Sequence, residues 1–111
     1  MAYDAGLADR IRQLLADQAG LSEKKMFGGL AFLIEGNMAI TASSDGGAMV
    51  RVDPQLSDSV LATTGATLVE MRGRTMAGWI RVSPDHLRTD ADLVPWIELS
   101  TGYVRTLPAR R

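Results

Sequence analysis

The chain has 111 residues, about the length of one domain. Hydrophobic residues make up 46% and charged residues 23%, which excludes a wholly disordered, collagen-like or coiled-coil chain. Twelve basic and thirteen acidic residues leave a net charge of −1. Autonomous nucleic-acid binding is therefore not favoured, because domains that bind DNA or RNA by themselves are usually strongly basic.

The chain contains no cysteine, so disulfides, thiolate metal sites and cysteine nucleophiles are excluded. The first residues show neither the basic nor the apolar region of a secretion signal. The longest apolar run, residues 28–34, falls far short of the roughly 20 residues that span a bilayer. These features predict a cytoplasmic protein.

The first half of the chain predicts a helix followed by three strands. The helix is capped by Asp4, ends at Gly20 and carries one apolar stripe: Leu7, Ile11, Leu14, Leu15 and Gln18. Residues 22–25 form a polar connection. Strands follow at residues 26–34, 38–42 and 48–52, with turns at 35–37 and 43–47, so they form an antiparallel meander. The Gly28-Gly29 pair lies inside the first strand, where it indicates a bulge or a close backbone approach.

The second half predicts a helix, two strands and a last helix. Asp53 and Pro54 open the second helix, Gly65 ends it, and its apolar side is Leu56, Val60 and Leu61. Strands follow at residues 67–71 and 76–82. The last helix begins near residues 90–92, because proline at position 95 is tolerated only in the first turn. Its apolar face is Leu93, Ile97, Ser100, Val104 and Leu107, with Trp96 and Tyr103 beside it, and Pro108 stops it. The order α-β-β-β-α-β-β-α predicts an α+β two-layer sandwich.

Alternation along the strands sorts their side chains between two faces of the sheet. One set should face the helices: Met26, Leu30, Phe32, Ile34, Met38, Ile40, Ala42, Val50, Val52, Met76, Ile80 and Val82. The opposite face is more apolar than a solvated face should be, with Phe27, Ala31, Leu33, Ala39, Met49, Ala77 and Trp79. Either a partner covers it, namely another protein or a second copy of the chain, or a helix end, a loop or a bulge buries it within the monomer.

Catalytic and metal-binding patterns are weak. His86 is the single histidine, and its neighbours Ser83 and Asp85 lie too close along a turn to form a catalytic triad with it. Asp90 and Asp92 fit the N-terminus of a helix, where the dipole favours anions. The sequence therefore predicts no catalytic residue, no metal site and no cofactor, and the protein is not expected to be an enzyme.

Positive charge is concentrated late in the chain. Residues 1–70 carry a net charge of −4 and residues 71–111 a net charge of +3. Arg72, Arg74 and Arg81 could gather on one hairpin and bind a phosphate or an acidic partner. The alternative is an exposed charged hairpin tip. Only Trp79 is near enough to stack on bases, so single-strand nucleic-acid binding is not indicated.

Two segments together resemble the N-terminal domain of the TfoX/Sxy family, bacterial proteins named for regulators of natural competence. The first segment runs over residues 25–30 and 35–38, and the second over residues 72–79 and 82–84. The motif positions are Met26, Phe27, Gly28, Gly29, Gly36, Arg74, Met76, Gly78 and Trp79. The resemblance covers nearly the whole chain and implies an α-β3-α-β2-α fold with a five-stranded antiparallel sheet and helices on one face.

The resemblance and the apolar face together predict a non-enzymatic regulatory or protein-interaction domain. The candidate binding residues are the motif positions Met26, Phe27, Gly28, Gly29, Arg72, Arg74, Met76, Gly78 and Trp79. An alternative implied by the family is a DNA-associated transcription or competence co-regulator that acts through a partner protein. The competence regulators of that family carry a second, helical domain, whereas the sequence here predicts a single N-terminal-type domain. A third, less favoured alternative is a small-ligand site around Gly28-Gly29 and the arginine hairpin.

Overall fold

Three helices and six strands make up the part of the chain that the structure, a computed structural model, describes: residues 3–26, 28–64, 66–71 and 73–109. In chain order they are α1 (Ala5–Leu14), β1 (Leu21–Met26), β2 (Gly29–Ile34), β3 (Asn37–Ala42), β4 (Ala48–Arg51), α2 (Ser57–Thr64), β5 (Thr67–Met71), β6 (Arg74–Val82) and α3 (Asp90–Val104). Short 3-10 turns, Pro54–Leu56 and Pro84–His86, precede α2 and α3.

The six strands form one antiparallel sheet in the order β1-β2-β3-β4-β6-β5. The predicted α+β class with an antiparallel sheet is confirmed, but the predicted five strands are wrong. The predicted polar connection at 22–25 belongs to β1, an edge strand whose charged residues suit exposure. The chain turns back at Gly28, which has a φ of 76°. The Gly28-Gly29 pair therefore makes a hairpin rather than a bulge within one long strand. The alternative, a close backbone approach, is confirmed at Gly29, where a methyl group would collide with the Ala42 carbonyl oxygen.

A β-bulge in β3 moves two residues away from their predicted faces. Phe32 pairs with Ile40, but the next residue, Leu33, pairs with Met38, so Ala39 is the extra residue. Ala39 is consequently fully buried on the helix side, where it packs with Ile34 and Val104. The prediction that Met38 faces the helices and Ala39 faces away is wrong, because alternation cannot continue through a bulge.

The main core lies between the helices and one face of the sheet. Its largest fully buried members include Phe32, Ile11, Leu15, Ile40, Ile80, Leu93, Val50, Val52 and Val82. The predicted helix-facing set is therefore largely confirmed. Met26 is an exception. Lys24 pairs with Ala31, which lies on the face away from the helices, and Met26 is two positions further along β1, so it lies on that face as well. Met76 is another exception, because it is half-buried and is not among the residues that pack in this core. The predicted apolar side of the second helix is wrong at Leu56, which is 46% exposed, since the chain forms a 3-10 turn there before α2 begins.

Hydrogen bonds at the helix ends agree with the predicted starts of α1 and α3. The Asp4 carboxylate accepts from the Leu7 N–H at 3.1 Å and caps α1. Thr89 and Asp92 form a capping box on α3, which begins at Asp90, within the predicted range. Pro95 is the sixth residue of this helix, so the expectation that it lies in the first turn is wrong. Both helices end earlier than predicted, at Leu14 and Val104. None of the helices in the described residues combines the length and the apolar character needed to cross a bilayer.

Arg12 ties α1 to the edge strand β1. Its guanidinium donates two hydrogen bonds to the Glu23 carboxylate, at 2.6 and 2.9 Å, and lies 5.9 Å from the centre of the Phe32 ring. Hydrogen bonding from Arg12 is the main reason why the pKa of Glu23 lies below its usual value of 4.5. The pair holds a polar edge strand against the helix layer.

The lowered pKa predicts a pH dependence of stability. A carboxylate with a depressed pKa in the folded state stabilises the fold above its unfolded pKa, and the stabilisation disappears as pH falls through the folded value. We therefore expect the free energy of unfolding to fall less in Glu23→Gln than in the wild type as the pH is lowered from about 6 to about 3. The difference should be at most about 1 kcal/mol, because the pair is partly exposed. Urea unfolding across this range measures it, with Glu98→Gln as the control for an exposed acid. Parallel curves for wild type and Glu23→Gln would contradict the prediction.

The sheet is strongly curled. Its edge strands β1 and β5 are five strand spacings apart, about 24 Å in a flat sheet. Yet Met26 of β1 and Val69 of β5 line the same cavity of about 120 Å³ on the face away from the helices. Val69 is only 1% exposed although it lies on an edge strand. No described helix covers this face of the sheet, which we call the open face. The curvature of the sheet shelters part of it.

Candidate interaction site on the open face

An arginine stacked on two aromatic rings stands out at one rim of the open face. Arg51 ends β4 directly opposite Trp79 of β6, and its guanidinium carbon lies 5.0 Å from the centre of the Trp79 ring. The same carbon lies 5.7 Å from the centre of the Tyr103 ring on α3. All three side chains are half-buried. We call Arg51, Trp79 and Tyr103 the arginine clamp.

The backbone around Gly78 positions the tryptophan of the clamp. Gly78 has a φ of 85°, and its N–H donates to the buried Ser57 hydroxyl at 2.8 Å. Its carbonyl accepts from the Val52 N–H at 2.7 Å. The ladder between β5 and β6 is irregular here, with Leu68 opposite Ile80 but Glu70 opposite Thr75. Gly78 therefore anchors an irregular stretch of β6 to the start of α2, which places Trp79 beside Arg51.

The C-terminal part of α3 brings the tyrosine of the clamp to the sheet. Val104 packs on Ile34 and Ala39, with Tyr103 beside them. The Asn37 side chain, at the start of β3, donates to the Pro108 carbonyl at 2.9 Å and fixes the segment that follows the helix. The bulge at Ala39 is thus part of the reason why Tyr103 reaches Arg51.

The electrostatics of the clamp are unbalanced. Within the described part of the chain, no carboxylate lies within ion-pair distance of Arg51, whereas Arg10, Arg12, Arg81 and Arg88 all have one. An arginine held over aromatic rings can still donate its N–H groups to acceptors, and no described residue accepts a hydrogen bond from Arg51. The clamp can therefore receive a carboxylate without breaking an existing ion pair.

The apolar residues next to the clamp are also partly accessible. Leu33 and Met38 pair with each other on the open face, and Met49 lies two positions before Arg51; all three are half-buried. The predicted open face is thus confirmed for Leu33, Met49 and Trp79. Ala31 is also on this face but is fully buried, and Ala77 is exposed.

The structure disperses the predicted arginine cluster. Arg74 and Arg81 lie at the two ends of the nine-residue strand β6, and Arg81 pairs with Asp45 at 2.9 Å. Arg72 and Phe27 lie outside the described residues. The hairpin therefore does not bring Arg74 and Arg81 together into one phosphate-binding patch.

The remaining motif residues lie in three places. Met26, Gly28 and Gly29 lie at the turn between β1 and β2, and Met26 and Gly29 line the cavity of the open face. Met76 and Gly78 lie in β6 near Trp79. Gly36, at the turn between β2 and β3, is a third place that the motif occupies, and only Trp79 belongs to the clamp.

Three carboxylates considered in the sequence analysis make structural contacts. Asp92 caps α3, Asp90 pairs with Arg10 at 3.0 Å, and Asp85 pairs with Arg88 at 3.0 Å. His86 is exposed in the short turn before α3, as predicted. Within the described residues, no three histidine or acidic side chains come together in a way that could hold a metal ion.

A family model for the TfoX N-terminal domain matches residues 13–103 of the chain. The chain belongs to the TfoX N-terminal domain family. No curated protein matches it in sequence. The matched range of this TfoX N-terminal domain contains Arg51, Trp79 and Tyr103, so the whole clamp lies inside the family domain.

The sequence of this TfoX N-terminal domain indicates only one residue of the clamp, Trp79. It does not indicate Arg51 and Tyr103, because these lie 52 positions apart along the chain. The available signal was Arg51 itself, a lone charge at the end of the apolar strand 48–52. Its partner on α3 depends on the bulge and on the packing of Val104, neither of which alternation shows.

Proposed function

We propose that this TfoX N-terminal domain is a non-enzymatic protein-interaction domain that binds an acidic segment of a partner protein at the arginine clamp. The observation that carries the proposal is the stacked, half-buried guanidinium of Arg51, which faces no carboxylate within the described residues. Tryptophan, tyrosine and arginine are also the residues most enriched at energetically important positions of protein interfaces.

Charge argues for a different protein rather than a second copy as the partner. A two-fold dimer through the clamp would bring two Arg51 side chains, each without an internal ion pair, toward each other. An acidic segment neutralises the same charge, and its apolar residues can cover Leu33 and Met38. The sequence-based alternative of a homodimer on this face is therefore less favoured than an acidic partner.

Structural use of the acidic residues supports a non-enzymatic role. Asp85, Asp90 and Asp92 stabilise α3 and its approach through ion pairs and a cap. A general acid or base needs a proton-transferring group free to approach a substrate. The clamp itself offers stacking and hydrogen-bond donors, which suit recognition of a carboxylate.

The proposal can be tested by tryptophan fluorescence. Trp96 is 6% exposed in the core, so a Trp96→Phe background leaves Trp79 as the single reporter. A short synthetic peptide that alternates glutamate with leucine is titrated into this protein, and the same peptide with lysine for glutamate is the comparison. We expect saturable emission changes with the acidic peptide alone, and weaker binding as salt is raised.

Matched arginine variants make the test specific. Arg51→Gln should weaken binding of the acidic peptide by about tenfold or more, which is the effect of losing about 1.4 kcal/mol. Arg88→Gln removes an equal charge from an exposed residue outside the clamp and should leave binding unchanged. Circular dichroism verifies that both variants fold. Equal affinity for the two peptides, or equal losses in the two variants, would reject the proposal.

A further inference from the structure

The cavity on the open face is a second feature, separate from the clamp. It lies toward the other end of β4 and has a volume of about 120 Å³. Its apolar wall is formed by Met26, Met49 and Val69, and its polar wall by Thr41, Glu70 and Arg81, with two serines at positions 43 and 44. None of the three clamp residues lines it.

Thr41 gives the cavity a polar group that needs a partner. It lies in the middle of the sheet and is only 4% exposed. Its hydroxyl oxygen has no hydrogen-bond partner among the residues that the structure describes. A buried hydroxyl without a partner is unfavourable, so a molecule that enters this cavity and hydrogen-bonds to Thr41 gains from the contact.

The charges around the cavity favour a cation. Arg81 is already neutralised by Asp45, at 2.9 Å. The Glu70 carboxylate has no cationic partner within the described residues, so of the two charged side chains that line the cavity only Glu70 is free to pair. An anionic ligand would face this charge, whereas an ammonium group can pair with Glu70 and donate hydrogen bonds to Thr41.

We propose that the cavity is a binding site for a small primary ammonium compound. Its volume equals about four water molecules at roughly 30 Å³ each, which allows an ammonium group with a chain of two or three carbons. The hydrocarbon part contacts Met26, Met49 and Val69. Because a ligand of this size makes few contacts, we expect its dissociation constant to be millimolar. This site uses different residues from the proposed protein interaction and does not depend on it.

Methionine methyl groups report directly on this cavity. Protein labelled with carbon-13 in the methionine methyl groups is titrated with propylammonium chloride, and separately with sodium propionate and 1-propanol. We expect saturable NMR shifts of the Met26 and Met49 methyl signals with propylammonium alone. Met38 lies on the same face next to Leu33 and does not line the cavity, so its signal is an internal control.

Three variants distinguish a specific site from general association. Glu70→Gln should weaken propylammonium binding at least tenfold, and Thr41→Val, which keeps the shape and removes the hydroxyl, at least fivefold. Glu98→Gln, an exposed acid on α3, should change nothing. Glu70 is exposed, so its variant remains testable if the Thr41 variant fails to fold. Absence of saturation, equal binding of 1-propanol, or an equal loss in Glu98→Gln would overturn the proposal.

Discussion

Gly78→Ala is expected to destabilise the domain by about 3 kcal/mol or more. Gly78 has a φ of 85°, and a methyl group there would lie 2.8 Å from the Val52 carbonyl oxygen and 3.0 Å from the Pro54 ring. An alanine is strained at this φ whatever space surrounds it, and the contact with a backbone oxygen adds a steric cost. Urea unfolding followed by tryptophan fluorescence measures the change.

Gly73→Ala is the matched control for the first prediction. Gly73 has a similar φ of 78°, but a methyl group there meets no atom of the described residues within 4 Å. Both variants therefore carry the same kind of backbone strain, of order 1 kcal/mol, and only Gly78→Ala adds the collision. Equal losses in the two variants would mean that close packing against Val52 and Pro54 does not constrain position 78.

Val69→Asp is expected to cost about 3 kcal/mol or more, although Val69 lies on an edge strand and away from the helices. The side chain is 1% exposed because the sheet curls around it, so the variant would bury an uncompensated charge. Arg81, which lines the same cavity, is already paired with Asp45 and offers little compensation. The free energy of unfolding in urea is the quantity to compare.

Two further variants keep the test of Val69 decisive. Val69→Ala should fold and lose about 2 kcal/mol through the removed apolar contacts. Leu56→Asp places the same charge at a residue that is 46% exposed and should change stability by no more than about 0.5 kcal/mol. If Val69→Asp lowers the free energy of unfolding no more than Leu56→Asp does, the curled sheet does not bury the side chain of Val69.

Local signals predicted much of the fold. Asp4 caps the first helix, the strand at residues 67–71 has the predicted bounds, and α3 begins within the predicted range, although Pro95 lies beyond the first turn in which it was expected. These features depend on a few neighbouring residues, so the sequence displays them directly. The strand β1 was missed because its residues at 22–25 are all polar and show no alternation. It is held instead by pairing with β2 and by the contact between Arg12 and Glu23.

Features that depend on distant residues were less predictable. The bulge at Ala39 is hidden because alanine is small enough for either face of a strand. The curl of the sheet requires the positions of both edge strands together. The clamp joins β4, β6 and α3, so only its tryptophan was recognised from the chain.

The packing of Gly78 has a consequence for how the family signature is used to transfer annotation. Position 78 requires a glycine because a side chain there would collide with the Val52 carbonyl oxygen, and this demand of the architecture is independent of any bound molecule. Finding the Gly-Trp dipeptide in another protein would therefore indicate a shared scaffold rather than a shared biological role. Comparing the residue that occupies position 51 across such proteins would separate those that can grip a carboxylate from those that cannot.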